Sequence, residues 1–141
     1  MFTNCTQIEP KGDFMAKHTK QTRSADVQQC IEECKECHAI CVETVTYCLN
    51  GGGAHAQPHH IAVLLDCAEI CHISEDSMLR DSTVMSTVCA ACADVCDACA
   101  TGCEKFPGDA QMEACADRCR SCAAACRKMV PGKGSGKHGG P

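Results

Sequence analysis

The stretch CAACADVCDACATGC, residues 89–103, decides the fold of this chain. Its five cysteines, Cys89, Cys92, Cys96, Cys99 and Cys103, are separated by three, four, three and four residues. That alternation keeps side chains on one face of an α-helix and is the seam by which helices pack in bundles. Alanine fills half of the intervening positions, and it is the best helix former. A strand is excluded, because no window here alternates with period two.

Working outward, the same rule recurs three times. Upstream, Cys30, Cys34, Cys37, Cys41 and Cys48 step by four, three, four and seven, and Cys67 and Cys71 by four. Downstream, Cys115, Cys119, Cys122 and Cys126 step by four, three and four. Punctuation separates four helical segments. The first runs from Ser24, an N-cap residue, to Asn50, before Gly51-Gly52-Gly53. The second starts at Pro58, suited to a first helical turn, and continues to Arg80. Asp81 or Ser82 is expected to cap the third, which ends near Lys105 before Phe106-Pro107-Gly108. Asp109 caps the fourth, which Pro131-Gly132 ends. Short links between long neighbours favour an all-α, antiparallel up-down-up-down four-helix bundle spanning residues 22–130. Residues 1–21, polar and aperiodic, are read as a flexible arm, and the Gly-rich residues 131–141 as a flexible tail.

Sixteen of the 17 cysteines in the 141 residues therefore lie on core seams; only Cys5 stands outside. A thiol is a small hydrophobe, and one or two would pack acceptably. Sixteen would leave an underpacked core, since the chain has only three Phe, one Tyr and no Trp. Disulfides are the poorer alternative. The cysteine count is odd, pairs along one helix constrain little, and the N-terminus shows no export signal, so a reducing, cytoplasmic setting is expected. The net charge of −5 gives no reason to expect nucleic acid or an anionic membrane surface. No apolar run approaches the roughly 18 residues of a membrane span.

A metal reading follows from the thiols. Structural zinc sites place CxxC pairs on knuckles, and iron–sulfur motifs wrap loops around a cluster; neither matches pairs set within continuous helices. Cu(I) fits best, being soft and content with few thiolate ligands, and bridging thiolates would allow many ions per chain. A zinc-binding or general metal-buffering protein of metallothionein type is the alternative. A redox enzyme or thiol sensor would need one singled-out, electropositive cysteine, which a seam of equivalent thiols does not offer.

With these residues in view, the chain resembles the cytosolic copper storage proteins, a Cys-rich four-helix-bundle family. The likeness rests on CIEECKEC at 30–37, CAEIC at 67–71, CAACADVCDACATGC at 89–103 and CADRCRSCAAAC at 115–126, and covers roughly Val27 to Met129. The resemblance implies a tetramer of bundles, each holding many Cu(I) ions along its interior, and no catalytic chemistry. Extending the ladder puts Thr44, His60, Ser74 and Met112 on the seam. Thr44 and Ser74 are poor Cu(I) ligands, whereas His60 and Met112 join the sixteen thiols as expected ligands. The topology would gather Cys48, His60, Cys103 and Met112 at one end, with His55 and His59 beside them, as a mouth for copper. Met78, Met85 and Met129 would form a hydrophobic plug at the other. His38 and His72 fall beside the seam. The long Ala-rich helices are expected to fold without metal.

Overall fold

The computed structural model describes residues 23–132. They form four helices, α1 (Ala25–Gly51), α2 (Pro58–Leu79), α3 (Met85–Cys103) and α4 (Ala110–Arg127), with a single 3-10 turn (Gly53–Ala56) between α1 and α2. The arm's residues 1–21, Cys5 among them, and all but the first two residues of the tail lie outside the described residues.

The helix starts follow from local chemistry. Ser24 Oγ accepts from the Val27 N–H at 3.1 Å, and Asp109 Oδ1 accepts from the N–H groups of Gln111 and Met112 at 3.1 and 3.2 Å. Each side chain thereby satisfies amides that have no partner inside the helix. Pro58 opens α2, where a missing N–H costs nothing. The third start departs from expectation. Neither Asp81 nor Ser82 caps α3; Asp81 is left-handed at φ 54°, and Ser82 Oγ accepts from the Val84 N–H within the turn. The helix then begins at Met85, with Val84 in the cap position and no side-chain cap. A left-handed residue reverses the chain in few residues, and the reversal uses the polar side chains that would otherwise have capped.

Helix α1 packs on α2 and α4, and α3 packs on the same two partners. Among the described residues no diagonal pair comes within 8 Å between Cα atoms. That cyclic order is the antiparallel up-down-up-down bundle. Alanines flank the seam: Ala68, Ala93, Ala100, Ala116, Ala123 and Ala125 are all buried. Their small volume lets the helices close in, which compensates for thiols where Leu and Ile would ordinarily sit. Ile31 and Leu64 supply branched bulk, while Ile40 and Val45 pack against the cluster from its edge. Outside, Arg118 of α4 reaches Glu33 and Glu36 of α1 at 3.1 and 2.9 Å, and Arg120 reaches Asp97 and Glu104 of α3 at 2.9 and 2.8 Å. Such exposed pairs add little stability each and chiefly fix which faces meet.

Candidate metal centre

All sixteen seam cysteines are free thiols, and each is wholly buried. Fourteen of them, all but Cys48 and Cys103, form a ladder of convergent sets, and within each set the ligand atoms lie within 4.8 Å of one another. From the α1 N-terminus inward, the first set is Cys30, Cys89 and Cys126, and the second is Cys34, Cys92, Cys122 and Cys126. Cys37, Cys71, Cys96 and Cys122 make the third, followed by Cys37, Cys41, Cys67 and Cys119, then Cys41, Cys99, Cys115 and Cys119. Consecutive sets share sulfurs: Cys126, then Cys122, then Cys37, then Cys41 with Cys119. Further close approaches join the steps, such as Cys71 to Cys92 at 3.7 Å and Cys67 to Cys96 at 3.7 Å. If neighbouring sets are both filled, a shared sulfur must bridge two ions, which a thiolate does readily for soft metals.

Proton affinity varies along the ladder for an identifiable cause. Cys30 donates its S–H to Cys126 at 3.6 Å, and that bond, with burial, raises its pKa. Cys34 accepts from Cys122 at 3.7 Å and its pKa is lowered. Thiolate formed at such an acceptor already has an S–H donor beside it, so the core can lose protons stepwise as cations arrive. At the last rung burial pushes the Cys48 thiol up to about 11.

Cys48 opens a different arrangement. Its Sγ lies 3.6 Å from His60 Nε2 and 3.6 Å from Met112 Sδ. His60 is buried, and desolvation followed by the nearby His55 lowers its pKa, which favours the neutral, ligating imidazole. Cys103 is buried at the same end. His55, on the 3-10 turn, bonds Asp109 Oδ2 through Nε2 at 2.8 Å, and Tyr47 Oη donates to the same carboxylate at 3.0 Å. Burial acts to raise the Asp109 carboxyl, but the bonds from His55, the Met112 N–H and Tyr47 outweigh it and hold it below the usual range. Phe106 stands between the imidazoles, its ring centroid 4.1 Å from that of His55 and 5.4 Å from that of His60.

The structure thus gathers Cys48, His60 and Met112 within reach of one another and places Thr44 and Ser74 fully buried on the seam. Ser74 Oγ lies 3.3 Å from Cys89 Sγ, and Thr44 Oγ1 accepts from Gln111 Nε2 at 3.0 Å. His59 stays exposed. His38 leaves the seam to bond the Ala68 carbonyl through Nδ1 at 2.9 Å, stacking loosely on His72. At the far end Met78 and Met129 are buried and Met85 is half-buried. Sequence reasoning missed Tyr47, Asp109 and Phe106 as partners of the mouth. Asp109 was legible only as a cap, and Phe106 only as part of a stop signal.

Comparison with known proteins agrees with this arrangement. A family model described as copper storage protein matches residues 23–131. The chain belongs to the copper storage protein family. Copper storage is its function, and the thiol ladder is the part of it chemically suited to hold the metal. Among solved structures it is similar to Nmul_A1745 from Nitrosospira multiformis, with 42% identity and a TM-score of 0.71 over 74% of this chain and 94% of that one. It is similar to Cu(I)-bound BsCsp3, the copper storage protein 3 of Bacillus subtilis, with 38% identity and a TM-score of 0.70, covering 74% and 98% of the two chains. A cytosolic copper storage protein from Streptomyces lividans, solved with five coppers, matches at 30% identity and a TM-score of 0.66 over 76% and 93%. Among the described residues no helix is long and apolar enough to cross a membrane.

Proposed function

We propose that this chain is a cytoplasmic, non-enzymatic store that holds many Cu(I) ions on Cys30, Cys34, Cys37, Cys41, Cys48, Cys67, Cys71, Cys89, Cys92, Cys96, Cys99, Cys103, Cys115, Cys119, Cys122 and Cys126, with His60 and Met112 completing the ligand set at one end. The sharing of sulfurs between successive sets carries this reading. Structural zinc takes four ligands per ion, whereas Cu(I) accepts two or three thiolates, so sets of three and four that share sulfurs can hold more Cu(I) than Zn(II). Complete burial of the thiols favours storage over catalysis, because a reactive cysteine needs access. Copper enters past His60, Cys48 and Met112, where imidazole and thioether hold the ion before it passes to the first thiolate pair.

The bundle assembles with further copies, a tetramer by family resemblance. Val42, Leu49, Leu65 and Ile73 are exposed and apolar on α1 and α2, and light scattering of the reduced protein reads the assembly. The storage reading itself is tested by anaerobic Cu(I) titration of the reduced protein against a chromogenic chelator. Uptake of many equivalents, with Zn(II) displaced from the same thiols, is the expected result. Saturation at one or two equivalents overturns it.

A further inference from the structure

Outside the bundle, against the same His60, lies a cavity of about 480 Å3. Val63 of α2, Ala98 and Gly102 of α3, and Lys105 and Phe106 beyond it line this space with the imidazole. His60 thus has an inner and an outer flank. Nε2 lies 3.6 Å from Cys48 Sγ. A Cβ placed on Gly102 would stand 3.3 Å from Nδ1. Gly102 is within α3 and does not have a positive φ, so no backbone conformation demands glycine there. Glycine inside a helix costs roughly 0.5–1 kcal/mol relative to alanine; what it gives here is room on the cavity side of the imidazole.

The chemistry of the walls selects a class of occupant. The chain carries a net charge of −5, yet Lys105 lines the cavity beside the neutral imidazole of His60, and no carboxylate lines it. It therefore offers a local site for an anion on an acidic protein. Its volume is that of a small-molecule site, roughly 300–1,000 Å3, rather than the broad face of a protein interface. Cu(I) prefers thiolate ligands, so it arrives on a thiolate carrier, and a cuprous bis-thiolate is itself anionic. We propose that this cavity docks a small, carboxylate-bearing thiol carrying Cu(I), with Lys105 holding the carboxylate and Val63 and Phe106 the alkyl part, so that the metal is presented to His60 and Cys48. The inference rests on the storage reading and names the form in which the cargo arrives. The transfer is a ligand exchange without change of oxidation state. The two Cu–S bonds of the bis-thiolate break in turn as Cu–N(His60) and then Cu–S(Cys48) bonds form; one carrier leaves as the thiol with the Cys48 proton, and the other leaves as thiolate and takes its proton from solvent.

The test follows loading of the reduced, full-length chain in an anaerobic stopped-flow experiment. Two donors are compared, the Cu(I) complex of glutathione, which carries carboxylates, and that of cysteamine, which carries an ammonium group. The glutathione complex is expected to load with an initial rate that saturates with donor concentration. Ala98→Phe, which fills the cavity, and Lys105→Glu, an exposed change that leaves every core side chain in place, each lower the subsaturating rate from glutathione by about three- to tenfold. Their rates from the cysteamine complex change by less than about twofold. Equal losses for both donors, or a strictly linear dependence on the glutathione complex, overturn the proposal. A wild-type chain that takes up only one or two ions fails the storage reading; one that fills its core while ignoring the donor's charge fails the cavity alone.

Discussion

The two ends of the bundle are built from the same seam and are chemically opposite. At one, Cys48 shares its sulfur's surroundings with an imidazole and a thioether, and a ring of His55, Asp109, Tyr47 and Phe106 closes around them beside the large cavity. At the other, Cys30, Cys89 and Cys126 end the ladder near Met78 and Met129, with Ser74 beside Cys89 and a space of about 140 Å3 lined by Met78 and Met85 outside. If copper enters past His60, as proposed, the difference means that exchange is fastest at that end. Imidazole and thioether bind Cu(I) without losing a proton, so they can pick up the ion and pass it on, whereas a buried thiol must first be deprotonated.

The largest effect is expected at the sealed end. Met78→Ala opens a hole beneath a nearly fully buried side chain and costs about 2–4 kcal/mol of stability in urea denaturation of the reduced protein. Its initial rate of Cu(I) uptake stays within about twofold of wild type. A variant that loads several times faster would show the methionine end to be a second mouth and would collapse the contrast. Next in size, His60→Ala slows initial uptake from a weakly held Cu(I) donor by about tenfold while the final capacity falls by no more than one ion. Unchanged kinetics would remove the imidazole from the path.

A pH series sharpens the same contrast. The pKa of His60 is lowered by burial and by His55, so its neutral form persists below the ordinary imidazole value. Uptake through the mouth is therefore expected to hold level as pH falls to 6.5 and to drop only below it. The sign is opposite for Cys48, raised from 9.0 to about 11. The folded apo chain holds that proton more tightly than the unfolded one, so its contribution to stability is whole below pH 9 and is lost as pH rises toward 11. Chemical denaturation of the metal-free protein between pH 8 and 11 reads this directly, and a flat profile would contradict it. Copper binding at the same sulfur must expel the proton, so proton release accompanies loading throughout the neutral range.

The ladder was legible because three-and-four spacing has one structural meaning when it persists over four segments, and a cysteine there has few reasons to be repeated. Thr44, His60, Ser74 and Met112 could be placed on the seam by the same count, and all four are buried there. The surroundings of the mouth were not legible. Tyr47 and His55 meet Asp109 across 62 and 54 residues of chain, and no local period encodes a loop folding back on a helix start. Nor does the seam count foretell that Ile31 is buried and that Ile40 and Val45 pack against the cluster from its edge, because small thiols draw the helices together and bring the flanks inward. The α3 start was misplaced for a related reason: a polar pair before a helix is a cap or a tight turn depending on where the neighbouring helix must go.

The smallest expected effect concerns Ser74, which separates the sealed end from a complete rung. Its hydroxyl lies 3.3 Å from Cys89 Sγ and points at the one set that has three thiols rather than four. Oxygen is a poor partner for Cu(I), so beside Cys89 the set has a neutral hydroxyl where a further thiol could stand. Ser74→Cys replaces oxygen with sulfur at nearly constant shape and completes the set without disturbing Met78 above it. Capacity in the chelator-competed titration is then expected to rise by about one ion, with uptake kinetics unchanged, because the added ligand lies at the end opposite the proposed mouth. A rise in the early rate instead of the final capacity would mean that copper reaches the ladder from the methionine side as well.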